Sequence, residues 1–497
     1  MDIKAAATPK FDTDLIELLR KDFEYHDFTE SNIQDYLGDA VFNAYNQDDL
    51  LPAKLKVAYD TSALGILINF FLLHESVPST ALNEALPHCG VKRLFSLGLA
   101  TETNGKLLST FNLQLYTSDD IGNAWFFSDL TQIQTKQSLP NEYVLGIGNA
   151  SKTLAQSIIR NPVNTALDLG CGCGIQTLHL LQHAKHVTAT DLSNRALEIT
   201  KFNLTLNAVD LAKVTLKQGS LFEPVKDETF ELIISNPPFV ISPKKADNYT
   251  YRESSFTGDA LIQKLVNGIS RHLTSSGIAQ FIANWEIYQE QEWHESLQTW
   301  DYDKATMRVY LRELLNPVQY ASMWTKDSDL FADEDTKTEL LAAYLTDFND
   351  RKVSAIGFGY FTIVKTIENE LITEDITQSV LQPIWQDLAA DIERHVAQNI
   401  LDLRFKVAPD VTEERFYLPG EQHPKVIQLR QGSGLCRTVE VSTEIAAVVG
   451  ACDGELTIRE ICYGLANILN LDIGELLESI DKEIVKLYRE SYLDLLA

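Results

Sequence analysis

Thr165-Ala166-Leu167-Asp168-Leu169-Gly170-Cys171-Gly172-Cys173-Gly174, running on into the helix-period segment Ile175 to His183, decides the fold. The first five residues have the character of a buried strand, and the glycines turn it abruptly into the helix. Glycine is needed there because the chain must bend tightly and let a ligand approach the backbone, while the following helix offers its N–H groups. Taken alone the turn leaves several readings open: NAD, FAD, S-adenosylmethionine, or no ligand and only close packing of a helix on a strand.

Outward from this turn, residues 126–370 alternate short β-branched or apolar runs with helix-period segments. Strands are expected at Thr165–Leu169, His186–Thr190, Lys213–Lys217, Phe230–Ser235, Ile278–Ala283 and Ser354–Lys365. That alternation predicts an α/β domain with a Rossmann-like, doubly wound parallel sheet. The second strand ends in Asp191, 21 residues beyond Gly170, the spacing at which a carboxylate accepts from both hydroxyls of a ribose. A ligand containing a nucleoside is implied. Read by itself, Asp191 also suits the N-cap of the helix from Ser193.

The fourth strand runs into Asn236-Pro237-Pro238-Phe239. Two consecutive prolines cannot continue a ladder, so the backbone leaves the strand abruptly beside the crevice. The Asn236 side-chain oxygen and the Pro237 carbonyl can each accept a hydrogen bond, and Phe239 can lie against a planar group. Together these groups match an –NH2 on a planar system, whether a side-chain amide or the exocyclic amine of a base. Such a nitrogen is a weak nucleophile, so catalysis would come from holding it in line, roughly 3–3.5 Å from the carbon it attacks. Hydride transfer to a nicotinamide needs none of these four residues, which disfavours an oxidoreductase.

In this order the motifs resemble the class I S-adenosylmethionine-dependent methyltransferases, and within them the small methyltransferase domain group, which includes release-factor glutamine N5-methyltransferases and ribosomal-RNA guanine N2-methyltransferases. The resemblance covers about 140–370. It implies that Asp168, Gly170, Cys171, Gly172 and Gly174 line the methionine end of the cofactor, that Asp191 holds its ribose, and that Asn236, with Pro237, Pro238 and Phe239, receives the acceptor nitrogen beside the donor. Where the family usually has an acidic residue near the adenine this chain reads Gly219-Ser220-Leu221, so Ser220, Leu221 or backbone groups must make that contact. Tyr143-Val144-Leu145-Gly146-Ile147-Gly148, with Ser151 and Thr153, is similar to the segment that closes over the cofactor. A protein glutamine, as on a translation factor, is the expected acceptor. RNA, through a guanine N2 or adenine N6 amine, is the alternative, and a cofactor-binding docking protein without turnover is the reading of another class.

Three parts are expected: 1–125, 126–370 and 371–497. In the first, an apolar helix (Leu64 to Leu73), a short helix from Ser79, a third over Gly90–Leu97 and a hairpin at Asn104-Gly105 suggest a winged-helix-like unit. Lys92 and Arg93 on the third helix could touch nucleic acid, but two basic residues are a thin patch, and a docking or packing module is favoured. The last part reads as α+β and again winged-helix-like, with Thr457 to Glu460 fitting a capping box. Basic and aromatic residues between Pro243 and Phe256 (Lys244, Lys245, Tyr249, Tyr251, Arg252) suit a substrate loop or a plain solvated connection equally, and Asn284-Trp285-Glu286 is placed to wall the pocket.

Composition narrows the partners. With 42 Lys and Arg against 70 Asp and Glu, the 497-residue chain carries a formal charge of −28. Coating nucleic acid requires surplus cations to release counterions from phosphates, so any such contact must be local. The longest apolar stretch, Ala63 to Leu73, is half of the roughly 20 residues needed to span a bilayer, and the first twenty residues show no secretory pattern. A cytoplasmic protein without membrane partner is expected. The six cysteines lack Cys-x-x-Cys spacing, so neither a disulfide scaffold nor a metal site is expected.

Overall fold

Eight strands build the central sheet of the computed structural model: β1 (Val163–Leu169), β2 (Ala184–Asp191), β3 (Val214–Gln218), β4 (Phe230–Ser235), β5 (Leu273–Tyr288), β6 (Ala305–Leu315), β7 (Val353–Lys365) and β8 (Glu370–Asp375). They lie in the order β8-β6-β7-β5-β4-β1-β2-β3. β1 to β5 are mutually parallel where they pair, while β7 runs antiparallel to both β5 and β6. The chain order reverses between β1 and β4, the point of an open sheet where ligands bind outside the carboxyl ends. This is the doubly wound α/β sheet anticipated, with two strands, β6 and β8, that the sequence pattern does not reveal. The structure describes residues 7–137, 139–140, 142–243, 256–328, 333–377, 380–394 and 399–496.

Among the helices that pack on these strands are α1 (Asn149–Ala155), α2 (Ile175–Leu180), α3 (Asn194–Leu206) and α4 (Ala260–His272). α2 is shorter than the expected 175–183. Its end tightens into i→i−3 bonds, from Gln182 N–H to the His179 carbonyl (3.1 Å) and from His183 N–H to that of Leu180 (3.1 Å), a usual way to close a helix terminus. One face of the sheet packs Leu167, Phe230, Ile233, Phe281, Trp285, Val309 and Phe361 into a common core with Leu265 and Ile269 of α4. Trp285 lies over Gly357 and Gly359, where an added Cβ would come within 2.5 and 3.1 Å of its ring.

The helices Pro317–Ser328 and Glu334–Asp350 connect β6 to β7. β6 ends and β7 begins at the edge where β4 and β5 end, since Tyr288 pairs with Val353 and Leu315 with Ile356. This helical pair therefore stands at the carboxyl edge of the sheet. The acidic run Asp327 to Glu339 falls here; Asp333 caps the second helix by accepting from Thr336 N–H (2.7 Å), and residues 329–332 lie outside the described residues.

Ahead of the sheet, helices Ser79–Ala85 and Gly90–Leu97 precede a hairpin, Ala100–Thr103 with Lys106–Ser109, turned at Asn104-Gly105 as expected. The apolar helix before them is α-helical only over Ala63–Leu67 and widens to a π-turn at Ile68–Leu72. Arg93 is engaged at home, donating to the Cys89 carbonyl at 3.0 Å and that of His88 at 3.3 Å. The second strand of this hairpin ends at Ser109, whose hydroxyl donates to the Phe111 carbonyl (2.6 Å) rather than letting the strand run on. Asn112–Ser118 instead pairs with Gly122–Ser128 in a second hairpin.

The described chain divides into two compact units, 1–155 with 161–373, and 156–160 with 374–497. The second has two three-stranded sheets and the helices Trp385–Glu393, Thr443–Gly450, Ile458–Leu469 and Ile473–Arg489 around Phe405, Ile445, Ile461, Ile480, Ile484 and Leu487. The capping box forms as expected, with Thr457 and Glu460 each accepting from the other's backbone. Among the described residues no helix is long and apolar enough to cross a membrane.

Candidate functional site

Because β1 to β4 are parallel, their carboxyl ends bring Asp168, the glycine turn, Asp191, Ser220 and Asn236 to one edge. Asp168 is fully buried. The Thr177 hydroxyl donates to its Oδ2 at 2.5 Å, whereas its Oδ1 is buried with no hydrogen-bond partner. Burial pushes the Asp168 carboxyl up to about 7, against the opposing bond from Thr177. A carboxylate oxygen left unpaired in the interior is costly unless something supplies a donor or a positive charge.

Gly170, Gly172 and Gly174 all take positive φ, at +82°, +55° and +91°. An added Cβ at Gly170 or Gly172 would meet nothing within 4 Å, so open space lies above the turn. At Gly174 it would meet Thr200 at 3.0 Å, which makes that glycine a packing requirement against α3. Cys171 and Cys173 point into the core, and burial raises both thiols, Cys173 to about 12. They are un-ionised and poor nucleophiles.

Asp191 does not cap α3. Ser193 does, accepting from Ala196 N–H at 3.3 Å, while Asp191 accepts from Gly172 N–H (3.0 Å) and Ser193 N–H (2.8 Å). Its carboxylate is thereby pinned against the turn, and burial raises its pKa. Ser220 and Leu221 are half-buried just past β3, Leu221 at φ +46°.

Asn236 is half-buried at the end of β4, with Pro237 buried and Pro238 and Phe239 half-buried. Its Nδ2 donates to Ser151 Oγ at 3.2 Å. With the amide in this orientation Oδ1 is the atom left to accept from a ligand. Ser151 is tied in turn through its carbonyl to Gln176 Nε2 (2.9 Å) of α2. A narrow cavity borders Pro238, Phe239 and Val240 together with Phe256, Asp259 and Ile262. Beyond it the chain is clamped by the helices between β6 and β7: Ile241 N–H donates to the Tyr320 hydroxyl (2.8 Å), and Ser242 Oγ lies 3.3 Å from that of Tyr344. Lys244, Lys245, Tyr249, Tyr251 and Arg252 lie outside the described residues.

Of the residues expected to wall the pocket, Trp285 is instead core. Asn284 donates to the Tyr320 hydroxyl at 3.2 Å, and the buried Glu286 pairs with Arg351. Ser151, Thr177, Tyr320 and Tyr344 take part without having been assigned these tasks from sequence. Their tasks arise from contacts across 9 to 102 residues, and only Ser151, which follows the segment Tyr143 to Gly148, carried any local signal.

An unpaired acidic atom, open space over two glycines and a second pinned carboxylate suit an elongated ligand with a cationic end and a hydroxyl-bearing end. A hydrogen-bond acceptor and a half-buried aromatic ring adjoin it. Residues 145–310 match the family described as methyltransferase small domain, and 25–110 match a domain of unknown function. Among curated proteins, the ribosomal protein uL3 glutamine methyltransferase of Bradyrhizobium diazoefficiens is 31% identical over 135 residues, covering 25% of this chain and 42% of that one. The ribosomal RNA small subunit methyltransferase C of Citrobacter koseri is 30% identical over 141 residues, covering 28% and 36%. The chain thus spans about two-fifths of the length of these relatives. A solved rRNA methylase of Streptococcus thermophilus aligns with 16% identity and a TM-score of 0.25 over 45% of this chain and 99% of that one.

Proposed function

We propose, from the premise that residues 145–310 belong to the small methyltransferase domain family, that this protein transfers the methyl group of S-adenosylmethionine to a planar amide or amino nitrogen, with a protein glutamine as acceptor. The observation that carries the reading is the orientation of Asn236 by Ser151 at the carboxyl end of β4, next to β1 and its unpaired Asp168 oxygen. When bound, the cofactor supplies an electrophilic methyl on a sulfonium. Asp168 would face its cationic methionine end, Gly170 and Gly172 would let it approach the backbone, and Asp191 would accept from its ribose.

The acceptor's –NH2 has two hydrogens. Asn236 Oδ1 and the Pro237 carbonyl would each take one, aligning the nitrogen with the methyl while Phe239 covers the plane. Since the nitrogen's lone pair is delocalised, positioning supplies the rate, and no strong base is needed at its edge.

For the acceptor class, the charge at this edge favours protein. The segment 317–350 between β6 and β7 contains eight Asp or Glu against two Lys, a poor neighbour for a phosphate backbone and a good one for a basic protein surface. A nucleobase amine is the second reading, supported by the similarity to an rRNA methyltransferase and by Phe239, which could stack a base for ~1–3 kcal/mol.

The test is incubation of the purified protein with methyl-tritiated S-adenosylmethionine and a cell extract, with portions treated by protease or ribonuclease before counting. Label lost to protease alone supports the glutamine reading. Label lost to ribonuclease alone replaces it with the nucleobase reading, and no label in any fraction, with cofactor still bound, leaves a docking protein.

A further inference from the structure

The strap 143–148 that leads into α1 is held from outside the methyltransferase sheet. Gln114, on the first strand of the second hairpin, accepts from Ile147 N–H through Oε1 (2.6 Å) and donates to the Ile147 carbonyl through Nε2 (3.2 Å). One side-chain amide thus pairs with both polar groups of one strap residue, as a neighbouring strand would. Next to it, Asp129 joins the strap twice: its N–H donates to the Val144 carbonyl (3.2 Å) and its Oδ2 accepts from Val144 N–H (2.7 Å). The carboxylate is neutralised by the buried Arg195 of α3.

The same hairpin is fixed to the glycine turn. Asn203 of α3 donates to the Phe127 carbonyl and to the Cys173 carbonyl, both at 2.9 Å, and accepts from Phe127 N–H at 2.8 Å. The strap in turn delivers Ser151 to Asn236. Hairpin 112–128 is therefore bonded directly to the strap and, through Asn203, to the glycine turn.

We propose that Gln114 is a positioning residue for the methyl-transfer site: it sets the strap over the cofactor, so that the region ahead of the methyltransferase sheet is part of the cofactor site. The inference rests on the function proposed above. Gly146 gives it an independent handle, because an added Cβ there would fall 2.0 Å from Gln114 Oε1 and 2.8 Å from Ser128 Oγ. Gly146→Ala must evict the Gln114 amide and so imitates Gln114→Ala from the strap side.

The experiment is calorimetric titration of S-adenosylhomocysteine into the full chain and into Gln114→Ala, Gly146→Ala, the double variant and Asp191→Ala, with melting temperatures measured alongside. Losing one paired hydrogen-bonding unit, ~1.4 kcal/mol, corresponds to about a tenfold weaker affinity. Each single variant is expected to show that loss and the double variant no more, since both remove one interaction. Melting temperatures lowered in the strap variants with affinity intact, while Asp191→Ala loses binding, would mark the clamp as support for the fold alone and overturn the proposal. Unchanged affinity in Asp191→Ala as well would overturn the reading of the site on which it rests, and additive losses in the double variant would separate Gln114 from the strap.

Discussion

Asp168 shows how much of the proposed chemistry sits in one side chain. Its folded pKa of about 7 lies above the ordinary 3.8 because burial disfavours the charge. The folded state therefore holds a proton that the unfolded chain releases, and the group's contribution to stability is full below about pH 4 and lost as pH rises through 7. Asp168→Asn should remove that slope, measured as urea-unfolding free energy across this range. A cationic ligand reverses the preference, because it favours the ionised carboxyl. S-adenosylmethionine affinity should then rise between pH 5.5 and 7 with release of a proton, detectable by titration in buffers of different ionisation enthalpy, and should be flat in the variant. At Asn236 the expectation differs, for Asn236→Ala takes away an acceptor and leaves the turn, Asp168 and Asp191 as they are. Methyl transfer should fall by two orders of magnitude or more, the scale of a lost positioning contact, with cofactor affinity within threefold of the parent. Joint loss of both would make Asn236 a structural residue.

At the scale of elements, β7 depends on two glycines for a reason visible only in three dimensions. Gly357→Ala would bring a Cβ to 2.5 Å from the Trp285 ring, which is fully buried and packed edge-on against Phe361 at 5.5 Å. The indole has nowhere to go, so overpacking should cost about 1–3 kcal/mol, read as a lowered denaturation midpoint with an unchanged slope. From sequence the strand Ser354–Lys365 simply runs through these glycines, and Trp285 looks like a pocket wall. What could be read ahead was local: the glycine turn, Asp191 at its spacing, and the double proline ending β4, each a place where the backbone must do something unusual. β6 escaped because Arg308, Arg312 and Glu313 break up its apolar run, although the ladder with β7 satisfies its backbone. The second hairpin escaped because its partner groups, Asn203 of α3 and Asn207 at that helix's C-cap, lie 76 and 82 residues away. Nothing in Gln114 marks it in sequence; its meaning is a pairing with Ile147.

For the whole molecule, the division into two compact units makes a thermodynamic claim, since units with separate cores can lose structure in separate steps. Unit 156–160 with 374–497 carries its own marker. Arg437 is buried, and its guanidinium meets Asp391 (2.6 and 3.1 Å) and Glu374 (2.7 and 2.8 Å). Removing one member of such a cluster strands buried charge, worth roughly 3–5 kcal/mol. Arg437→Ala should therefore lower one calorimetric transition and leave S-adenosylhomocysteine affinity unchanged. Saturating S-adenosylhomocysteine should raise the other, by an amount set by RT ln(1 + [L]/Kd), because the turn, strap and Asn236 all belong to the unit 1–155 with 161–373. If the ligand raises both transitions together, or the substitution weakens binding, the two units melt as one. Cofactor occupancy would then reach the C-terminal residues, and the acidic chain would answer its ligand as a single cooperative body.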